Sequence, residues 1–113
     1  MILVIGGRAS GKRDYVRSLG YADADIADGV IDARPVVYNL QALVFADHES
    51  APNLLEPLLT KDVVVCDEVG SGVIPTDRDQ RLAREATGRL CVHLAQRAER
   101  VVRLVAGVPT TIN

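Results

Sequence analysis

The apolar run Ile2, Leu3, Val4, Ile5 breaks directly into Gly6-Gly7-Arg8-Ala9-Ser10-Gly11-Lys12-Arg13, and this junction constrains the fold more than any other feature. A continuous, largely β-branched run bounded by glycine reads as a strand buried on both faces, which belongs in a parallel sheet covered by helices. Residues 11–19 have helix length and end at Gly20. Strand, glycine turn and helix are the context that G-x-x-x-x-G-K requires. The glycines let the chain turn tightly, backbone N–H groups face a polyphosphate, and the lysine reaches its terminal phosphates. The candidate phosphate-binding residues are therefore Gly6, Gly7, Arg8, Ala9, Ser10, Gly11, Lys12 and Arg13. Arg13 stands where the pattern has the Ser or Thr hydroxyl that holds Mg²⁺. The alternative is a bare strand-to-helix turn with a solvated Lys12.

Downstream, residues 21–32 read as an Asp- and Ala-rich loop leading to a short strand at 29–33. Pro35 suits the first turn of a helix running to Ala46, with Val36, Val37, Leu40, Leu43 and Val44 at helical spacing. A second helical segment is expected over 53–59 and a fully apolar strand over 63–66, ending at Asp67-Glu68. Leu82, Ala86, Leu90, Leu94 and Ala98 recur every fourth residue and predict the longest helix over 79–100. Residues 101–106 read as the last buried strand, and Gly107-Val108-Pro109 as a turn into an edge segment at 110–113. Alternating strands and helices predict an α/β fold, a P-loop NTPase-like three-layer domain with a small, mainly parallel sheet. Its ligands should sit beyond the carboxyl ends of the strands. At 113 residues the chain is expected to form a single P-loop nucleotide-binding domain over 1–113.

Composition narrows the function. Apolar residues make up 48%, charged residues 25%, and the net charge is -2, so a basic nucleic-acid surface is not expected. No apolar stretch approaches the roughly 20 residues of a membrane helix, so no membrane partner is expected either. Cys66 and Cys91 lack C-x-x-C spacing and the start is not signal-like, which points to reduced thiols and a cytoplasmic protein.

Asp67, at the end of an apolar strand, is the candidate metal ligand, a carboxylate that would hold Mg²⁺ through water with Ser10 nearby. Two other outcomes stay open: Arg13 neutralises phosphate itself, or binding remains without catalysis. In a purely structural reading, Asp67 and Glu68 cap a following turn. Asp23, Asp25, Asp28 and Asp32 miss the calcium-loop spacing by one residue and lack its glutamate, so they read as a solvated acidic loop. Arg78, Arg81, Arg84, Arg89, Arg97 and Arg100 are interleaved with Asp77, Asp79, Glu85 and Glu99, as on a solvated helix face. No motif surrounds His48, and His93 beside Leu90 and Leu94 reads as a helix-surface or partly buried histidine.

Glu68-Val69-Gly70-Ser71-Gly72-Val73-Ile74-Pro75 is less generic. Together with residues 6–12 it resembles the bifunctional adenosylcobinamide kinase / adenosylcobinamide-phosphate guanylyltransferase family of cobalamin assembly, whose pattern is Glu-Val-Gly-x-Gly-[Ile/Val]-[Val/Ile]-Pro. Arg81, Gly88-Arg89, Leu94-Ala95, Ala98, Val101 and Gly107-Val108-Pro109 follow in the family's order, so the resemblance covers 1–18 and 61–113. It implies a purine nucleotide, GTP or ATP with Mg²⁺, in the loop, and catalytic roles for Lys12 and Glu68. It also implies phosphoryl transfer to a hydroxyl of a cobinamide-type corrinoid, and a homo-oligomer with sites near subunit contacts. The family's loop ends Gly-Lys-Ser, and it has Asn-Gln where this chain has Cys91-Val92. Its members are longer in the middle, the region that carries the histidine receiving the guanylyl group. Two readings follow: a phosphorus-transferring enzyme, or a non-catalytic nucleotide-binding or regulatory relative.

Overall fold

The computed structural model describes residues 1–68 and 77–113, so the motif at 69–75 lies outside the described residues. Its strands are β1 (Ile2–Gly6), β2 (Ile26–Asp28), β3 (Val36–Tyr38), β4 (Val63–Asp67), β5 (Arg100–Val105) and β6 (Val108–Thr111). They form one sheet in the order β2-β3-β4-β1-β5-β6. Every neighbouring pair is parallel except β5–β6. The helices are α1 (Lys12–Ser18), α2 (Leu40–Ala46), α3 (Leu55–Leu59) and α4 (Arg78–Arg97).

Strand residues alternate between two cores, as the pleat demands. Leu3, Val37, Val64, Cys66 and Val101 pack with Leu40 and Val44 of α2, Leu58 of α3 and Leu90 and Leu94 of α4. Val4, Val36, Val63, Val65 and Leu104 pack with Val16 of α1 on the opposite face. Helices thus cover both faces of a mainly parallel sheet, the three-layer architecture expected from the alternating pattern.

Three expected elements are displaced: the turn expected at 107–109 is Ala106-Gly107, and Val108 and Pro109 already belong to β6. The strand expected at 29–33 is β2, which ends at Asp28, and residues 29–33 turn instead. Residues 36–38, expected to be helical, form β3. Val36 and Val37 are both fully buried, on opposite faces of the sheet, which a strand accomplishes and a one-faced helix does not. Asn39, at φ 59°, then breaks the strand into α2, whose buried Leu40 and Val44 supplied the helical spacing. Residues 48–54 form a 3₁₀ segment leading into α3. Helix α4 starts where the Asp77 carboxylate accepts from the N–H groups of Asp79 (2.7 Å) and Gln80 (3.2 Å). It stops before Ala98, which is already extended.

The parallel neighbours β2 and β3 are joined by residues 29–35 alone. Such a pair ordinarily needs a crossover of about a dozen residues or more, usually a helix; three-residue strands allow the short return. The Arg34 guanidinium grips both oxygens of Asp32 and donates to the Ile26 carbonyl (3.0 Å). Lys61 donates to the carbonyls of Asp32 and Arg34. The hydrogen bonds from Arg34 hold the Asp32 carboxyl down at about 2. Because the folded value lies below the unfolded one of about 3.9, the clamp contributes fully above that pH and is lost as pH falls through about 2. A carbon-detected NMR titration should find the Asp32 midpoint near 2. A midpoint near 4 would mean that the clamp does not form in solution.

Among the described residues, no helix is long and apolar enough to cross a membrane.

Candidate functional site

The sheet's topology brings the separated sequence motifs together. β1 and β4 are neighbours with Gly6 opposite Asp67, so the glycine loop and the Asp67-Glu68 pair leave the carboxyl edge side by side. The Glu68 N–H donates to the Gly6 carbonyl at 2.8 Å.

The loop turns through left-handed residues on either side of Ser10, at Ala9 (φ 58°) and Gly11 (φ 89°). For Ala9 this conformation costs about 1–2 kcal/mol, the kind of local strain that surrounding structure must hold in place. Part of that support comes from the β5–β6 hairpin. Its two-residue turn, Ala106 (φ 49°) and Gly107 (φ 78°), has both φ angles positive, as a type I′ turn requires. The Gly107 N–H donates to the Ser10 carbonyl at 2.9 Å.

Lys12 is 4% exposed and its ammonium curls back into the loop. It donates to the Gly7 carbonyl at 2.6 Å, lies 3.0 Å from Asp67 Oδ1 and reaches Ser10 Oγ at 3.5 Å. These three acceptors match its three protons, as a buried ammonium requires. Arg13 points outward. Its guanidinium carbon lies 4.5 Å from the Tyr38 ring centroid and its Nη2 donates to Asp28 Oδ2 at 3.2 Å. Asn39 Nδ2 donates to the other Asp28 oxygen (2.7 Å), Gln41 Nε2 to Asn39 Oδ1 (3.0 Å), and the Asp67 N–H to Gln41 Oε1 (2.9 Å). A polar network therefore runs along the carboxyl edge from Arg13 to Asp67 and returns through Lys12. A hollow of about 290 Å³ opens between loop residues 9–12, Arg13, Arg17, Asp14 and Tyr38. Arg8 and Ala9 are exposed at the loop tip.

Glu68 lies at the same edge, with both oxygens engaged by Arg103 at 2.9 and 3.1 Å. Behind Asp67, the Cys66 thiol donates to the Asp67 carbonyl at 3.3 Å. The neighbouring Cys91, and then burial, push Cys66 well above the ordinary thiol range, and Cys66 in turn lowers Cys91. Both cysteines are free.

Tyr38, Asn39, Gln41 and Arg103 join the candidate site without having been singled out in the sequence, and Gly107, read there only as a turn residue, braces the loop. Arg103 carried a signal, a charge inside an apolar strand; the others carried none, because their roles come from strand order. The acidic residues of 23–32 do not gather at one point: Asp23 pairs with Arg17 (3.0 Å), Asp28 with Arg13, and Asp32 with Arg34 (2.7 Å). His48 and His93 line one cleft of about 390 Å³ together with Ala51, Ala86 and Leu90. That cleft shares no residue with the loop's hollow.

Helices on both faces of a mainly parallel sheet, with a glycine loop at the carboxyl end of a central strand, define a P-loop NTPase-like fold. Within that class, the chain belongs to the cobinamide kinase / cobinamide phosphate guanyltransferase family, whose model matches residues 33–112. The match includes the middle segment, which carries no motif of its own, and begins beyond the glycine loop, which therefore stands on its own geometry. No individual curated protein matches the chain.

Proposed function

We propose that the chain binds a purine nucleotide, GTP or ATP, with its phosphates in the loop at residues 6–13, and that Lys12 directs phosphoryl transfer to a hydroxyl of a cobinamide-type corrinoid. One observation carries this reading: the Lys12 ammonium is folded into its own loop against a carbonyl and a carboxylate. Both are acceptors that phosphate oxygens can replace. Family membership supplies the chemistry, transfer of phosphorus groups in cobalamin biosynthesis. Phosphoryl transfer asks the protein for alignment and charge neutralisation more than for covalent help, and a loop lysine with a neighbouring carboxylate suits that demand. Glu68 is the candidate to receive the acceptor's proton, with Arg103 fixing the carboxylate's orientation.

A second reading, nucleotide binding without turnover, is favoured by the β2–β3 connection. Residues 29–35 stand where a parallel pair usually has a crossover helix, in the region where the family's guanylyl-accepting histidine is expected. His48 and His93 line a separate cleft. Neither histidine therefore supports guanylyl transfer at the loop. Free Cys66 and Cys91 support a cytoplasmic setting, and exposed Val105, Val108 and Ile112 along the antiparallel edge support a homo-oligomer.

Titration calorimetry with GTP, ATP and GDP, followed by an assay for phosphorylated adenosylcobinamide, tests both readings. Binding with product establishes the kinase, and binding without product establishes the second reading. No binding of any nucleotide would sink both.

A further inference from the structure

The divalent cation that such a loop usually shares with its nucleotide meets a donor set here that does not suit it. Mg²⁺ takes a near-octahedral shell of oxygens at about 2.0–2.1 Å. At position 13 a guanidinium replaces the hydroxyl. Asp67 Oδ1 lies 3.0 Å from the Lys12 ammonium, and both Glu68 oxygens accept from Arg103. The Asp28 oxygens accept from Arg13 and Asn39. Among the described residues, no three His, Cys, Asp or Glu side chains are grouped to hold a metal ion. Once phosphate draws Lys12 away, Asp67 is the one of these carboxylates left without a cation, and a divalent ion there would lack the protein oxygen that a hydroxyl at position 13 supplies.

The positive charge is already present in protein form. Lys12, Arg13 and Arg17 all line the hollow at the loop mouth. Arg13 presents a planar fork suited to two phosphate oxygens, is one-third exposed, and lies against Tyr38, which restricts its swing. Asp14, Asp23 and Asp28 oppose this charge through their pairs with Arg17 and Arg13. These pairs are solvent-screened and exchangeable for a multiply charged anion.

Resting on the nucleotide reading above, we propose that the loop takes its polyphosphate without a divalent cation, Arg13 supplying the charge that Mg²⁺ supplies in a loop ending Gly-Lys-Ser. Arg13 is then the residue that sets the site's independence of metal.

Calorimetric titration of the full chain with GTP and ATP, in excess Mg²⁺ and in excess EDTA, tests this. The unmodified chain should bind in both with dissociation constants equal to within about twofold. Arg13→Ser should bind about tenfold or more weakly in EDTA, the loss expected for one charge-assisted contact, and recover in Mg²⁺. If Arg13→Ser does not fold, Arg13→Gln, which keeps the length over Tyr38, should show the same weakening in EDTA. Binding by the unmodified chain that disappears in EDTA overturns the inference and leaves the nucleotide reading intact. Equal affinity of chain and variant in EDTA also overturns it. No binding in either condition overturns the nucleotide reading itself.

Discussion

Lys12→Ala should abolish measurable nucleotide binding, weakening it by at least about a hundredfold while the chain remains folded. Lys12 is the most deeply buried cationic residue at the loop, 4% exposed, with the contacts of its ammonium directed inward. In the proposed nucleotide complex a phosphate would take over those contacts. Each charge-assisted hydrogen bond is worth about 1.5–3 kcal/mol, so losing two of them exceeds a hundredfold in affinity. The stability cost is smaller. Removing the lysine leaves Asp67 unpaired, but that side chain is 29% exposed and water can solvate it. Breaking a fully buried pair costs about 3–5 kcal/mol, and partial hydration should bring this to about 1–2 kcal/mol. Calorimetry and urea unfolding on the same preparation separate the two effects. Undiminished affinity in a folded variant would remove the lysine, and with it the loop, from the site.

Gly6→Ala should destabilise the fold by about 1–3 kcal/mol, toward the upper end, and disorganise the loop. A Cβ there would lie 2.5 Å from Ser10 Oγ and 3.0 Å from the Leu104 carbonyl oxygen. Neither neighbour can retreat easily. Ser10 is braced by the Gly107 N–H, and Leu104 is the β5 residue opposite Gly6 in a parallel ladder. The melting temperature should fall by about 4–8 °C per kcal/mol. Adding Ser10→Ala should restore part of the loss, because it removes the closer of the two clashes. A Gly6→Ala chain as stable as the original would show that the loop does not approach β5 this closely.

Much of this architecture was legible because its signals are local. A β-branched run bounded by glycine marks a strand covered on both faces, and the periodicity of Leu82, Ala86, Leu90 and Leu94 marks α4; both follow from which faces must leave water. Around residues 36–44 periodicity misleads, because buried Val36 and Val37 and the buried face of α2 merge into one apparent stripe. Periodicity over so short a span cannot separate a two-faced strand joined to a helix from one longer helix. The left-handed turn at Asn39 divides them; asparagine adopts that conformation more readily than most residues, but a single such residue does not outweigh an apparent apolar stripe.

The site divides along the same line. The order of residues is enough to show that a strand delivers a glycine loop with Lys12, that Asp67-Glu68 ends another strand, and that a guanidinium stands where a metal-binding hydroxyl is usual. All of these depend on residue identity and short spacing. The fold, in contrast, set β1 and β4 side by side, and made Lys12 answer Asp67 while Arg103 answers Glu68. It likewise decided that Arg13 lies over Tyr38 against Asp28, and that the β5–β6 turn braces the loop. Strand order carries that information. Pairing partners distant along the chain are selected by the global burial of two apolar faces, and polar contacts at the carboxyl edge follow from that selection.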